Sequence, residues 1–348
     1  MKNVALVNWQ TTLLSICCLF AITVLVSACF EPSITKTTEK KPISAMGKES
    51  ILIIRVAGKN FEQVVLGLSE ELTEEFFLQE MIVDKNTQKG QIAQNMKEVS
   101  PKFVVLMDNV SISLYKEYQK GLPDAASIVP AVAVMASFMD MAIKNLKNAK
   151  GIFYEVPLVT SVVTLRAVLS SRAFDKVGVI HREFMAPAIK LNQKYCARED
   201  VKLISYPIPN KGNIKSNLKN ALNKLGMENV NALWIPNDNK LVNAKLLKSV
   251  WIPFAKKFKK PIITGVEILV EPKLKFGTFA VIPDPVQLGT QAAEMVFEAM
   301  EDDWKIEAGE VEPPRSVYKI INLKQAEHLF SVDEEKLQNM VDKILTEL

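Results

Sequence analysis

The sequence predicts an α/β body in which parallel sheets are sandwiched between helix layers. Three observations carry the prediction. Short apolar runs recur along the chain, the stretches between them carry apolar residues at helical spacing, and 348 residues allow two domain-sized halves at roughly 150 residues each. Runs that are apolar on both faces fit strands covered on both sides, as parallel sheets require.

The elements follow in order. Ile51–Val56 reads as a strand, and Phe61, Val64, Val65, Leu68 and Leu72 after it as a helix face. Phe103–Met107 repeats the strand pattern ahead of a helix near 111–120, and Lys176–Ile180 precedes a segment reaching Cys196. Val201–Tyr206 leads into Ile214, Leu218, Ala221, Leu222 and Leu225 at helical spacing. Ala232–Ile235 leads into a long helix expected from about Asn243 to Phe258. Ser331 and Glu334 form a capping-box pattern ahead of an apolar stripe through Leu337, Met340, Val341, Ile344, Leu345 and Leu348, which predicts an amphipathic helix over 331–348.

Composition narrows the function. Lys plus Arg exceed Asp plus Glu by only four, 43 against 39, too small an excess to mark a nucleic-acid partner by net charge. Of four cysteines, Cys17, Cys18 and Cys29 lie in or at the end of an apolar leader, so Cys196 is alone in the body and no intrachain disulfide staples it. Two histidines, His181 and His328, exclude a His-rich metal site, and no Gly-rich phosphate loop follows the strands. Neither a catalytic residue set nor a cofactor or metal site is expected.

The leader Leu13–Ala28 is apolar but shorter than the roughly 20 residues of a spanning helix. It ends Leu25-Val26-Ser27-Ala28-Cys29, which resembles the bacterial lipobox: residues 1–28 are expected to be a lipoprotein signal peptide, with Cys29 the lipidated, palmitate-bearing first residue of the mature chain. Residues 29–50, with Pro32, Pro42, Lys36, Lys40 and Lys41, are expected to be a flexible tether. The body is then extracytoplasmic and held at a bacterial membrane; Phe30, in place of an acidic residue, leaves inner or outer membrane open.

In open α/β sheets ligands meet the carboxyl ends of the strands. The residues there include Lys59 and Asn60; Asp108 and Asn109; His181 and Arg182; and Asn237 and Asp238. A family resemblance enters through Ala232–Asn239, then Lys260-Pro261-Ile262-Ile263-Thr264-Gly265, then Pro283–Glu294. These stretches resemble ABC-transporter substrate-binding proteins, the group that includes tryptophan/tyrosine-binding members. Asn145–Leu169 resembles that family's first crossover, and Val317–Leu329 its terminal strand and short helix.

The resemblance implies a two-lobe type I periplasmic-binding fold with three interlobe crossovers. One lobe is expected over 51–150 plus 283–311, the other over 151–282 plus 312–330. It adds Phe61, Tyr154, Glu155 and Glu267 to the ligand-contact set and implies a small organic ligand, favoured to be amino-acid-like, delivered to an ABC permease. A zwitterion suits a site where Asp108, Glu155 or Glu267 meets the ammonium and Arg182 forks onto the carboxylate, with Phe61 and Tyr154 as a wall. The alternative is an envelope lipoprotein that uses the same fold as a sensor or protein-interaction scaffold.

Overall fold

A computed structural model of the chain describes residues 47–124, 128–169 and 174–346. The expected signal peptide, the lipidation site Cys29 and nearly all of the expected tether lie outside the described residues. Residues 44–348 form one compact unit that contains both sheets and every core cluster described below. No helix among the described residues is long and apolar enough to cross a membrane.

The chain first builds β1 (Glu49–Arg55), α1 (Lys59–Leu72), β2 (Phe76–Ile82), α2 (Lys89–Val99), β3 (Phe103–Met107), α3 (Asp108–Gln119), β4 (Ala131–Val134), α4 (Met139–Ala142) and β5 (Ala149–Ile152). It then builds α5 (Leu158–Val168), β6 (Lys176–Arg182), α6 (Ala186–Ala197), β7 (Lys202–Ile208), α7 (Ile214–Gly226) and β8 (Ala232–Ile235). After these come α8 (Ala244–Leu246), α9 (Ile252–Phe258), β9 (Ile262–Thr264) and β10 (Phe279–Pro283). Last are α10 (Pro285–Glu301), β11 (Val311–Glu312), β12 (Val317–Asn322), α11 (Leu323–Leu329), α12 (Glu334–Met340) and β13 (Lys343–Leu345).

These strands form two sheets, in the orders β11-β5-β4-β3-β1-β2 and β13-β12-β10-β9-β8-β6-β7. All pairings are parallel except β10 with β12. The first sheet separates a core of Ile51, Ile53, Phe103 and Val105, under α1 and α10, from one of Leu52, Ile54, Val104 and Leu106, under α2 and α3. Alternation along each strand assigns successive side chains to opposite faces, which is why the runs had to be apolar throughout. The second sheet does the same, with α5 and α6 over one face and α7 with the 244–258 helical segment over the other.

The backbone passes between the sheets three times: after β5, at Asp284 after β10, and between β11 and β12. Neighbouring passages are tied together, Asp284 N–H donating to Ser316 O at 3.1 Å and Phe153 N–H to Glu312 O at 2.8 Å. Asp284 also caps α10 by accepting from Val286 and Gln287 N–H, with Pro285 at the first turn, so the strand ends and the helix begins without an intervening loop. The capped helix lies against α1 at two glycines. A Cβ on Gly67 would sit 2.1 Å from Val286 O, and one on Gly289 would sit 2.2 Å from Val64 O.

Several elements differ from expectation. The first strand starts at Glu49, inside the expected tether. The helix after β3 starts at Asp108, which adopts φ 87° and caps its own first turn. The long helix before β9 forms, but Leu247–Trp251 is a π-turn: Pro253 has no N–H to give the preceding turn, and the wider turn absorbs the misfit. The expected helix over 331–348 is corrected. Asp333, not Ser331, caps α12 by accepting from Lys336 N–H, the helix stops at Met340, and Lys343–Leu345 pairs in parallel with β12. Val341 is extended, and Ile344 packs on the core as a strand residue. Edge pairing beside β12 outweighs helix periodicity in these last residues, because it satisfies backbone groups that a frayed terminus would leave to water.

Candidate interlobe site

The site is built at the carboxyl ends of β1, β3 and β4 in the first sheet and β6, β8 and β9 in the second. Asp108 Oδ1 accepts from Val110 and Ser111 N–H at 2.6 and 2.8 Å, and burial raises its carboxyl above the usual value against the pull of those bonds. Asn109 exchanges two bonds of 3.0 Å with the backbone of Ser137, so the loops after β3 and β4 hold each other. That fixes Phe138, whose φ of 57° places it in the left-handed region and whose N–H donates to Glu155 Oε1 at 2.6 Å.

Across from it, β6 delivers Arg182. Its Nε and Nη2 donate to Asp238 Oδ2 and Oδ1 at 2.6 and 2.9 Å, a bidentate pair in which the Arg182 side chain is 12% and that of Asp238 1% exposed. Lys240 N–H occupies Asp238 further at 2.9 Å. The Arg182 guanidinium lies 4.4 Å from the centroid of the Phe184 ring, and Phe184 meets Phe138 edge-on with centroids 4.9 Å apart at 86°. The ends of the two sheets therefore face each other, and Phe138 and Phe184 make a contact between them.

Each expected residue has a definite place. Glu155 and Phe138 are joined directly, and Arg182 joins Asp238. Tyr154 lies within electrostatic reach of Glu155 and Glu267; burial, then those two charges, push its hydroxyl up to about 12. Burial pushes Glu155 up to about 7 despite the bond from Phe138. Glu267 opens a short 3₁₀ turn and pairs with Lys343 Nζ at 2.7 Å. Lys59 is exposed at the start of α1, Asn60 is half-buried, and Phe61 packs against the core under that helix. Asn237 is half-buried before Asp238. His181 is 2% exposed, its Nδ1 2.9 Å from Arg182 O, and its position is interior.

Two of these geometries alter the chemistry expected of the site. Asp238 is committed to Arg182 and the Lys240 amide, and its two oxygens hold the guanidinium in one orientation. The aromatic rings beside Arg182 are those of Phe138 and Phe184, whereas Phe61 and Tyr154 were the aromatic residues expected there. Phe184 stands two residues beyond Arg182 and was within reach of the same argument; Phe138 follows a four-residue strand that gives almost no periodic signal. Three cavities, of about 510, 200 and 680 Å³, lie elsewhere: beside α12 and β13, beside α3, and beside α11. None is lined by an expected site residue.

No protein-family model and no curated protein matches the chain. Solved structures do match. A substrate-binding protein with adhesive properties from Clostridium difficile, in its ligand-free, open form, aligns at a TM-score of 0.61 and 14% identity, covering 86% of this chain and 100% of that one. An ABC domain in complex with L-Trp from Streptococcus pneumonia aligns at 0.53 and 15% identity, covering 85% and 100%. The fold is the type I periplasmic-binding fold. The passage at 313–316 is held by Gln291, whose Nε2 donates to Pro313 O and whose Oε1 accepts from Arg315 N–H, both at 3.1 Å.

Proposed function

We propose that the chain is a non-enzymatic, extracytoplasmic solute-binding protein, anchored through a lipid on Cys29, that captures a small organic molecule between its lobes and delivers it to an ABC importer. In this reading the sheet of β1–β5 with α10 and β11 is one jaw, and the sheet of β6–β10 with β12 and β13 is the other. The observation that carries the reading is the meeting of the two strand ends at Phe138 and Phe184, beside a guanidinium already oriented by Asp238.

That arrangement favours a ligand with an aromatic or apolar body and a carboxylate. Two rings provide the faces, and Arg182 Nη1, which Asp238 does not engage, provides donors for an anion without the cost of orienting a free side chain. An amino-acid-like ligand fits, with the half-buried Glu155 as acceptor for an ammonium group; the L-Trp held by one structural neighbour supports the same class. Binding needs complementary charge and hydrogen bonds, with no bond made or broken.

The test is a ligand panel of amino acids, nucleosides and sugars read by thermal shift on the 44–348 unit. A ligand present at about 100 times its Kd adds about 2.7 kcal/mol of stability. Stabilisation by one chemical class, abolished in Arg182→Gln, is the expected result. A shift that survives Arg182→Gln and Phe184→Ala unchanged would place binding outside this site.

A further inference from the structure

We propose that the layer formed by α7 and the 244–258 helical segment is a docking face for an anionic lipid bilayer. Lys215, Lys219 and Lys224 stand on α7, and Lys245, Lys248, Lys256 and Lys257 on the second segment; all seven are exposed, and neither element contains an acidic residue. The two elements share one core, Leu218, Leu222 and Leu225 packing with Val250 and Trp251 over the same face of the second sheet. Their polar faces therefore form one surface. Across residues 201–275 there are 14 lysines against 4 acids, an excess of ten in a chain whose net charge is +4.

A face kept merely soluble normally mixes signs, as α2 and α3 do here. Lys215 and Lys219 are instead like charges at i,i+4, a spacing that costs helix stability. Among the described residues none of the seven is in an ion pair, whereas Glu294 and Glu298 of α10 are met by Arg315 and Lys150. The charge is thus left available.

The chemistry of the face selects the partner. It has no arginine, so it lacks the forked donors that read individual phosphates or bases, and its lysines are compact point charges spread over a helical layer. That pattern suits a diffuse negative surface, to which each lysine near the headgroups adds attraction within a Debye length. Met227, 79% exposed just after α7, offers an apolar side chain among the lysines to enter the headgroup layer. Docking on this face leaves the interlobe site, built from other elements, uncovered.

The experiment is vesicle flotation with the 44–348 unit, which lacks Cys29 and any lipid. Phosphatidylcholine vesicles are compared with vesicles that include about 30% phosphatidylglycerol, at salt from about 0.05 to about 0.5 M. Expected is flotation with the anionic vesicles alone, lost at high salt. A variant with Lys215, Lys219, Lys245 and Lys248 each changed to Gln should partition at least about tenfold more weakly, while one with Lys85, Lys89, Lys97 and Lys144 changed to Gln, an equal loss of charge on the other lobe, should bind as the parent does. Both variants are checked for an unchanged melting temperature, and the salt series on the parent protein is decisive without them. Equal binding to both vesicle types, equal weakening by both variants, or retention on heparin with no flotation would each overturn the proposal, the last in favour of a soluble polyanion.

Discussion

Replacing Asp238 by alanine removes both oxygens that hold Arg182. The Arg182 side chain, 12% exposed in the parent, is then left with Nε and Nη2 unpaired and the Lys240 amide short of its acceptor. Removing one partner of a pair buried this deeply costs about 3–5 kcal/mol. For a unit of roughly 300 residues the unfolding entropy is roughly 0.6 kcal/mol/K, so the midpoint should fall by about 5–8 °C. Differential scanning calorimetry of the parent, Asp238→Ala and a double variant, Arg182→Met with Asp238→Leu, separates the causes. The double variant should recover most of the lost stability, since no charge is left buried, yet remain unable to bind ligand. A fall below about 1 °C for Asp238→Ala, or a double variant no more stable than the single one, would refute the argument that the pair is a buried, mutually dependent unit.

Other outcomes follow from the same geometry. Phe138→Ala removes the edge-on contact worth about 0.5–1.5 kcal/mol and should move the lobes toward a more open ensemble, seen as a larger radius of gyration by small-angle X-ray scattering; an unchanged radius contradicts it. Glu155 has a folded-state value near 7 against an ordinary 4.5, so the native state holds the extra proton. Its contribution to stability is complete below about 4.5 and is lost as pH rises to about 7, and Glu155→Gln should flatten that decline in urea melts between these limits. Gly67→Ala drives a Cβ into Val286 O, where only backbone can yield, and should cost at least about 2 kcal/mol by chemical denaturation; a neutral result means α1 and α10 are free to separate.

Most strands legible in the sequence are buried on both faces; β7, read from Val201–Tyr206 although it lies at a sheet edge and is partly exposed, is the exception. Ile51–Ile54, Phe103–Met107 and Ala232–Ile235 are apolar at every position because the sheet interior leaves no face to water. β2 was not legible: Phe76–Ile82 lies at one edge of its sheet, and Gln79 and Glu80 interrupt its apolar pattern. β4 and β5 were not read as strands either, although the equally short β8 was. The positions at strand ends were readable because topology gathers them at one end of each sheet whatever their identity. Their partners were not, since Arg182 and Asp238 lie 56 positions apart and only the adjacency of β6 and β8 brings them together. The terminal segment misled because Leu337, Met340, Val341 and Ile344 fit a helix face, while the open edge of β12 was invisible to periodicity.

The most direct test is the crystal structure of the protein with its stabilising ligand bound. The ligand should lie between the ends of β4 and β6, in contact with Phe138 or Phe184 and hydrogen-bonded to Arg182. A ligand seated in the cavity beside α12 and β13, or touching one lobe only, would contradict the account.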